Sequence, residues 1–326
     1  MINRIEEIDL EKVIIESDSV KCVFLPALGG KMISFYNKET GTEFLLSPQN
    51  DSRKYETAYY GADFSRYDAS GFDECFPTIT AVDELLSQEG KDKIIRFPDH
   101  GELWSRAWSY EIKDGSLVMS ITGVNAEYLF TKKIGVVKNK LRIDYSVKNL
   151  SQHNIPYLWS AHPLINIQKG DRIILPVSVD KLKLEWSSDE RNSKIEDYHH
   201  WPYLLGEENI DFSEIPGIKY NHAMKLFTYQ LSDGHAAFHK TQENESLIYS
   251  FDAKKIPYLG LWLCYGGWPV NNGRKHLTIA IEPSTAKTDS LKEAIHHTEA
   301  VILQPDQCNS WSLEMKLIKG VPDSFI

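Results

Sequence analysis

No stretch of the sequence approaches the ~18 consecutive apolar residues of a membrane-spanning helix. The first thirty residues, MINRIEEIDLEKVIIESDSVKCVFLPALGG, carry acids where a secretory leader needs a basic start and an apolar run. A soluble cytoplasmic protein is the expectation. Cysteine is scarce: Cys22, Cys75, Cys264 and Cys308 are scattered with no C-x-x-C pair, which suggests neither a zinc ribbon nor a disulfide framework. They read as ordinary reduced thiols. Positive charge is also short. With 36 Lys+Arg against 46 Asp+Glu and a formal net charge of -10, the chain repels phosphate backbones and anionic membranes, so neither nucleic acid nor membrane is expected as a partner. No internal repeat, low-complexity tract or Gly/Ser linker marks a boundary, and residues 1–326 are expected to form one domain.

What the chain does have is strand signal. KLRIDYSVKNL alternates Leu141, Ile143, Tyr145 and Val147 against polar neighbours, and VKCVFLP and SLIYSF behave alike. Turn chemistry such as NKETGTEF and IKDGSLVMS separates such runs by a few residues, the spacing of hairpins rather than of parallel crossovers. The clearest helix signal, TDSLKEAIHH, is short and places Ser290 and Glu293 at capping-box spacing. The fold class predicted is all-β, a large antiparallel β-sandwich with a few short helices. Trp186 to Gly217 is polar and irregular and reads as a long covering or functional loop.

Several motifs carry little. PALGGK lacks the spacing and the helix of a phosphate cradle and reads as a hairpin turn. HAAFH, His235 to His239, has the spacing of a zinc helix but lies among strand-like residues without the glutamate. Three other places hold titratable groups in more suggestive settings. In PYLWSAHPLINI, Leu158, Ser160 and His162 share one face, and Pro163 is expected to end regular pairing just after His162. In HLTIAIEPSTAKTDSL, Glu282 shares a face with Thr278 and Ala280, again with a proline next. His100 sits between Pro98 and Gly101 on a loop or strand edge. Taken singly, each histidine reads as a satisfied structural residue. Together, an imidazole and a carboxylate supply both halves of proton-transfer chemistry near neutral pH.

In order along the chain, LPALGGKMISFYNKETGTEFL, GFDECFPTI, PDHGELWSRAW, WSAHPLINI, LGLWLCYGGWP and IAIEPSTAKTDSL resemble the galactose mutarotase-like, or aldose 1-epimerase, superfamily. The resemblance implies a β-sandwich that holds a monosaccharide and interconverts the α and β anomers of free aldoses, with no cofactor and no required metal. It places the catalytic base on Glu282, the acid on His162 and a sugar-contacting histidine on His100. GADFSRYDASGFDECFPTI stands where typical galactose mutarotases carry Asn-Arg-Ile, which assigns the reading of sugar hydroxyls to Asp73 and Glu74. Trp104 and Trp262 are candidates for stacking on the sugar, and Arg106 is a candidate polar contact at the rim. HGELW puts Trp104 where the hexose-6-phosphate branch carries arginine, which favours an unphosphorylated sugar. The alternative reading is a non-catalytic carbohydrate-binding or regulatory protein on the same fold.

Overall fold

The computed structural model describes residues 2–7, 10–50, 52–88, 91–189, 198–204, 210–270 and 273–322. Period-two alternation produces strands whose alternate residues are buried. In Lys140–Asn149, Leu141, Ile143, Tyr145 and Val147 are almost fully buried while their neighbours face outward. This strand lies between Tyr128–Val137 and Cys308–Lys319 in an 8-stranded antiparallel sheet. Its Ser109–Lys113 and Ser116–Thr122 hairpin turns through Asp114 and Gly115, both with positive φ, as the right-handed twist of paired strands favours.

The second sheet has 12 strands. Across its middle run Lys31–Asn37, Phe72–Cys75, Ser160–Asn166, Leu277–Ser284, Tyr258–Tyr265, His222–Thr228 and Lys181–Ser187, neighbours that are mostly remote in sequence. One core cluster joins the two sheets, from Val13 near one end of the chain to Leu317 near the other. Inside it, Tyr145 of the smaller sheet lies 4.9 Å from Trp159 and is stacked 5.6 Å from Trp311. The architecture is therefore an all-β sandwich. The six-residue helix Leu291–His296 is capped as its sequence requires, Ser290 accepting from the Glu293 N–H. HAAFH forms part of the strand His235–Lys240, so its two histidines stand about 13 Å apart along extended chain, too far to share one ion.

Trp186 to Gly217 is not one loop throughout. Trp186 and Ser187 complete the strand Lys181–Ser187, and Tyr198–His200 pairs with it. Residues 190–197 and 205–209 lie outside the described residues. Among the described residues no helix is long and apolar enough to cross a membrane.

Glu74 departs from the expected sugar contact. Period two turns it to the opposite side of the strand from Asp73, into the sandwich, where its carboxylate accepts from Lys132 Nζ at 2.8 Å and from Tyr145 Oη at 3.1 Å. Lys132 also donates to the Gly30 carbonyl at 2.7 Å. Both charged side chains are 1% exposed. Lys132→Met is therefore expected to leave a buried carboxylate unpaired and lower unfolding stability by about 3–5 kcal/mol. Joining Glu74→Met to it should recover most of that loss, because the double variant exchanges a desolvated ion pair for apolar contact. Urea denaturation of the three proteins checks this; a double variant no more stable than Lys132→Met alone would refute it.

Candidate active site

The outward face of the larger sheet builds the site. Along Leu277–Ser284, Ile279 and Ile281 enter the core, so Thr278, Ala280 and Glu282 face the other way. Antiparallel register lines residues of remote sequence into two rows across that face. In the first, Asp73 stands opposite His162, Glu282 opposite Gly260, and Gly260 opposite Phe227. His162 Nε2 lies 3.9 Å from Glu282 Oε1, joining the two halves of this row. In the next, Leu164, Ala280, Trp262, Lys225 and Trp186 follow one another. A Cβ on Gly260 would stand 3.1 Å from Glu282 Oε2, so glycine leaves the carboxylate its room.

Neither proline ends its strand as expected. Ser160–Asn166 continues through Pro163 because its ladder to Phe72–Cys75 does not need that N–H; the ladder to Leu277–Ser284 is interrupted between Ser160 and Leu164, beside Glu282. Leu277–Ser284 likewise runs past Pro283. His162 and Glu282 thus sit within strands rather than at their ends.

Glu282 is fully buried. Its Oε2 accepts from the Lys225 ammonium and from Ser160 Oγ at 3.5 Å, while Oε1 has no hydrogen-bond partner among the described residues. Lys225 Nζ also lies 3.4 Å from Asp289 Oδ1. Burial raises the Glu282 pKa, and the opposing pull of Lys225 does not cancel it. Asp289 is raised for the same reason. Burial alone would lower the Lys225 pKa, yet Asp289 and Glu282 hold it above the ordinary lysine range. Burial, helped by His100, Lys225 and Lys31 nearby, holds His162 well below the usual imidazole value, so it is neutral at neutral pH. The site therefore sets an unpartnered carboxyl oxygen of Glu282 beside a neutral imidazole, with an ammonium behind the carboxyl group.

His100 reaches the same space from a loop. His100 and Gly101 both adopt positive φ, and a Cβ on Gly101 would fall 2.0 Å from the Phe76 carbonyl oxygen, so only glycine fits there. Asp99 fixes the loop: one carboxylate oxygen accepts from the Phe64 N–H at 2.9 Å and the other lies 2.9 Å from His100 Nδ1. Because a carboxylate only accepts, Nδ1 carries the hydrogen and Nε2 is the ring nitrogen available to a ligand. Burial would raise the Asp99 pKa, but His100 and backbone N–H groups outweigh it and hold it below the usual range. The Phe64 ring stacks on His100 at 4.1 Å and meets the His162 ring edge-on at 5.4 Å.

Glu282, His162, His100 and Trp262 line one cavity of about 450 Å³. Asp73, Glu74, Trp104 and Arg106 do not line it. Asp73 is buried beside His162 but is held by Lys31 at 3.0 Å, a lysine that also bonds Asp68 at 2.5 Å, and burial pushes its pKa up to about 7. Trp104 is a strut, its Nε1 donating to the Asp99 carbonyl at 2.9 Å while its ring meets Phe64 edge-on. Arg106 donates to the Thr122 carbonyl at 2.6 Å. Glu102, the other charged group of that segment, accepts from Tyr60, Tyr128 and the Asn125 N–H inside the protein. Sequence reasoning missed Lys225, Asp289, Trp186 and Trp268. The available signal was Lys225 within HAMKLFT, a lysine inside an otherwise apolar strand, which burial obliges to find an acidic partner. Among the described residues no three His, Cys, Asp or Glu side chains are grouped to hold a metal ion.

With this sandwich and cavity the chain has the galactose mutarotase-like fold. It is similar to a galactose mutarotase-like protein from Clostridium acetobutylicum, with 17% identity, TM-score 0.68 and 98% of each chain covered. A galactose mutarotase related enzyme from Lactobacillus acidophilus gives 15% identity and TM-score 0.67 over 95% of this chain and 98% of the other. The Slr1438 protein of Synechocystis sp. PCC 6803 gives 15% identity and TM-score 0.68 over 98% and 96%. No family model and no curated protein matches the sequence.

Proposed function

We propose that the chain is an aldose 1-epimerase, interconverting the α and β anomers of a free aldose by ring opening and closure. The observation that carries this reading is the pair of atoms His162 Nε2 and Glu282 Oε1, 3.9 Å apart and facing one cavity. A hemiacetal bears its hydroxyl and its ring oxygen on one carbon, so a base for the first and an acid for the second have to stand side by side. In ring opening, Glu282 takes the proton of the anomeric hydroxyl while His162 donates to the ring oxygen. Rotation about C1–C2 and closure on the other face return both protons. The pair therefore works with one shared proton, on His162 when it meets the cyclic sugar and on Glu282 in the open-chain state. Burial favours the second arrangement, and Lys225 counteracts it by stabilising the carboxylate. His100 Nε2 contacts a sugar hydroxyl and Trp262 covers an apolar sugar face.

Among the described residues Lys225 is the single Lys or Arg lining the cavity, and it is engaged by Glu282 and Asp289. Neutral aldoses should therefore outcompete their 6-phosphates. An NMR anomer-exchange screen over free aldoses and their phosphates tests both points. Exchange no faster than in buffer across the panel would overturn the enzymatic reading, and a preference for the phosphates would overturn the charge argument.

A further inference from the structure

Asp73 carries a carboxyl group that the charges around it do not need. Asp68, 2.5 Å from Lys31, already neutralises that ammonium, and Asp73 stands 3.0 Å away as a second carboxyl on the same charge, 1% exposed. Neither of its oxygens accepts an aligned hydrogen bond among the described residues. Burial pushes its pKa up to about 7, so it keeps a hydrogen of its own up to about neutral pH.

Another unpaired atom faces it. Asp73 and His162 are directly opposite on adjacent antiparallel strands with their side chains on one face, which puts the two Cβ atoms about 5 Å apart. His162 Nε2 is turned to Glu282 on the strand to one side, so the opposite edge of the ring, which carries Nδ1, is turned to the strand on the other side, where Asp73 stands. Nδ1 is buried and unpartnered among the described residues. Phe64 covers both groups: its ring meets His162 edge-on at 5.4 Å and has Lys31 Nζ 5.9 Å from its centre. Buried polar atoms are costly unless paired, and two facing groups without a direct bond are satisfied together by one bridging water.

We infer that Asp73 is a positioning residue for His162, its carboxyl hydrogen directed through one water to Nδ1, so that the ring carries its own hydrogen on Nε2, toward the substrate. The inference rests on the proposed function for the use of that hydrogen and not for its placement. Asp99 has the opposite effect on His100, since it is ionised and accepts from Nδ1. Passing one hydrogen from Asp73 to the water, and one from the water to Nδ1, gives the imidazolium that meets the cyclic sugar. The O–H bond of Asp73 breaks, an N–H bond forms, and the carboxylate left behind lies beside Lys31.

The chain of hydrogen bonds reverses with pH. Above about pH 7 Asp73 is ionised and accepts, so the water accepts from Nδ1 and the hydrogen of neutral His162 moves from Nε2 to Nδ1. Asp73 otherwise faces Lys31 and Asp68, with Glu74 turned to the far side of its strand; His162 also faces Glu282, His100, Lys225 and Lys31. Glu282 acts with the other sign, because its ionised form favours a hydrogen on Nε2. A move toward Nδ1 as the pH rises therefore reports Asp73.

Long-range ¹H–¹⁵N spectra of histidine-labelled protein show which ring nitrogen carries the hydrogen, with no sugar present; His162→Gln assigns the signal. Wild-type His162 should carry it on Nε2 at pH 6 and on Nδ1 at pH 8. In Asp73→Asn the carbonyl oxygen accepts from Lys31 and the amide still donates but cannot ionise, so the hydrogen should stay on Nε2 at both. Asp73→Leu should lose the switch and lower kcat about tenfold at neutral pH with KM unchanged, and Asp73→Asn should recover part of that rate. Lys31 keeps Asp68 in both variants, and unchanged signals from the other histidines report the fold. A wild-type hydrogen on Nδ1 at pH 6, or a switch that survives in Asp73→Asn, would overturn the positioning role even if aldoses are exchanged. A switch present in the wild type and absent from Asp73→Asn upholds it even if no aldose is turned over and the enzymatic reading fails.

Discussion

Glu282→Gln is expected to slow catalysed anomer exchange by roughly 10²–10⁴-fold while sugar binding persists. Glutamine keeps the shape of the side chain, and its carbonyl oxygen still accepts from Lys225, but the amide cannot take a proton as a base. The group lost is the one whose Oε1 is unpartnered and lies 3.9 Å from His162 Nε2. Trp262 lines the same cavity, so tryptophan fluorescence should report saturable binding in the variant and wild type alike. NMR exchange spectroscopy measures the rate. Equal binding by both proteins, with wild-type exchange no faster than buffer for every aldose, would make the carbohydrate-binding alternative the better account.

Lys225→Met is expected to lower kcat/KM by about 10–1,000-fold, because an opposite charge at this range shifts a carboxyl pKa by about 1–3 units. The sign follows from the environment. Burial already raises Glu282 and lowers His162, so the form with a carboxylate and an imidazolium is the minor one in the free protein. Removing the ammonium that bonds Glu282 raises that carboxyl further, and each tenfold gain in its proton affinity thins the minor form tenfold. The pH limb belonging to Glu282 should move to higher pH by the same amount. Two neighbours moderate the effect. His162 loses a repelling cation and rises slightly, and Asp289, 3.4 Å from Lys225, also takes up a proton more readily. The Cys75 thiol, held neutral by burial, adds nothing. Lys225→Arg retains the charge and should lose much less. A ¹³C titration of the Glu282 carboxyl gives a readout independent of turnover; an unchanged titration together with an unchanged rate in Lys225→Met would sink the argument.

The sequence made most of the fold legible because period-two burial is a local property. Leu141 to Val147 and Thr278 to Glu282 could be assigned to faces without knowing what lay opposite, and the cap at Ser290 is complete within four residues. The ordered motifs also pointed to Glu282, His162, His100 and Trp262, which share one cavity. Strand termination was less legible: Pro163 and Pro283 looked like strand ends, but whether a missing N–H matters depends on the neighbouring strand. Asp73 and Glu74 show the same limit in charge. Adjacent in sequence, they point to opposite sides of one strand, and each is claimed by a lysine from elsewhere in the chain, Lys31 for one and Lys132 for the other.

The amino-acid sequence by itself determined that this is an antiparallel β protein with one acid and one imidazole set on outward-facing strand positions. Only the tertiary structure decided that these two face each other, that Lys225 stands behind the acid, and that three tryptophans extend the cavity beyond them. Strand faces are set by neighbours two residues away, whereas the rows that build the site run across strands, and their register is fixed by the packing of a sheet whose adjacent strands are remote in sequence.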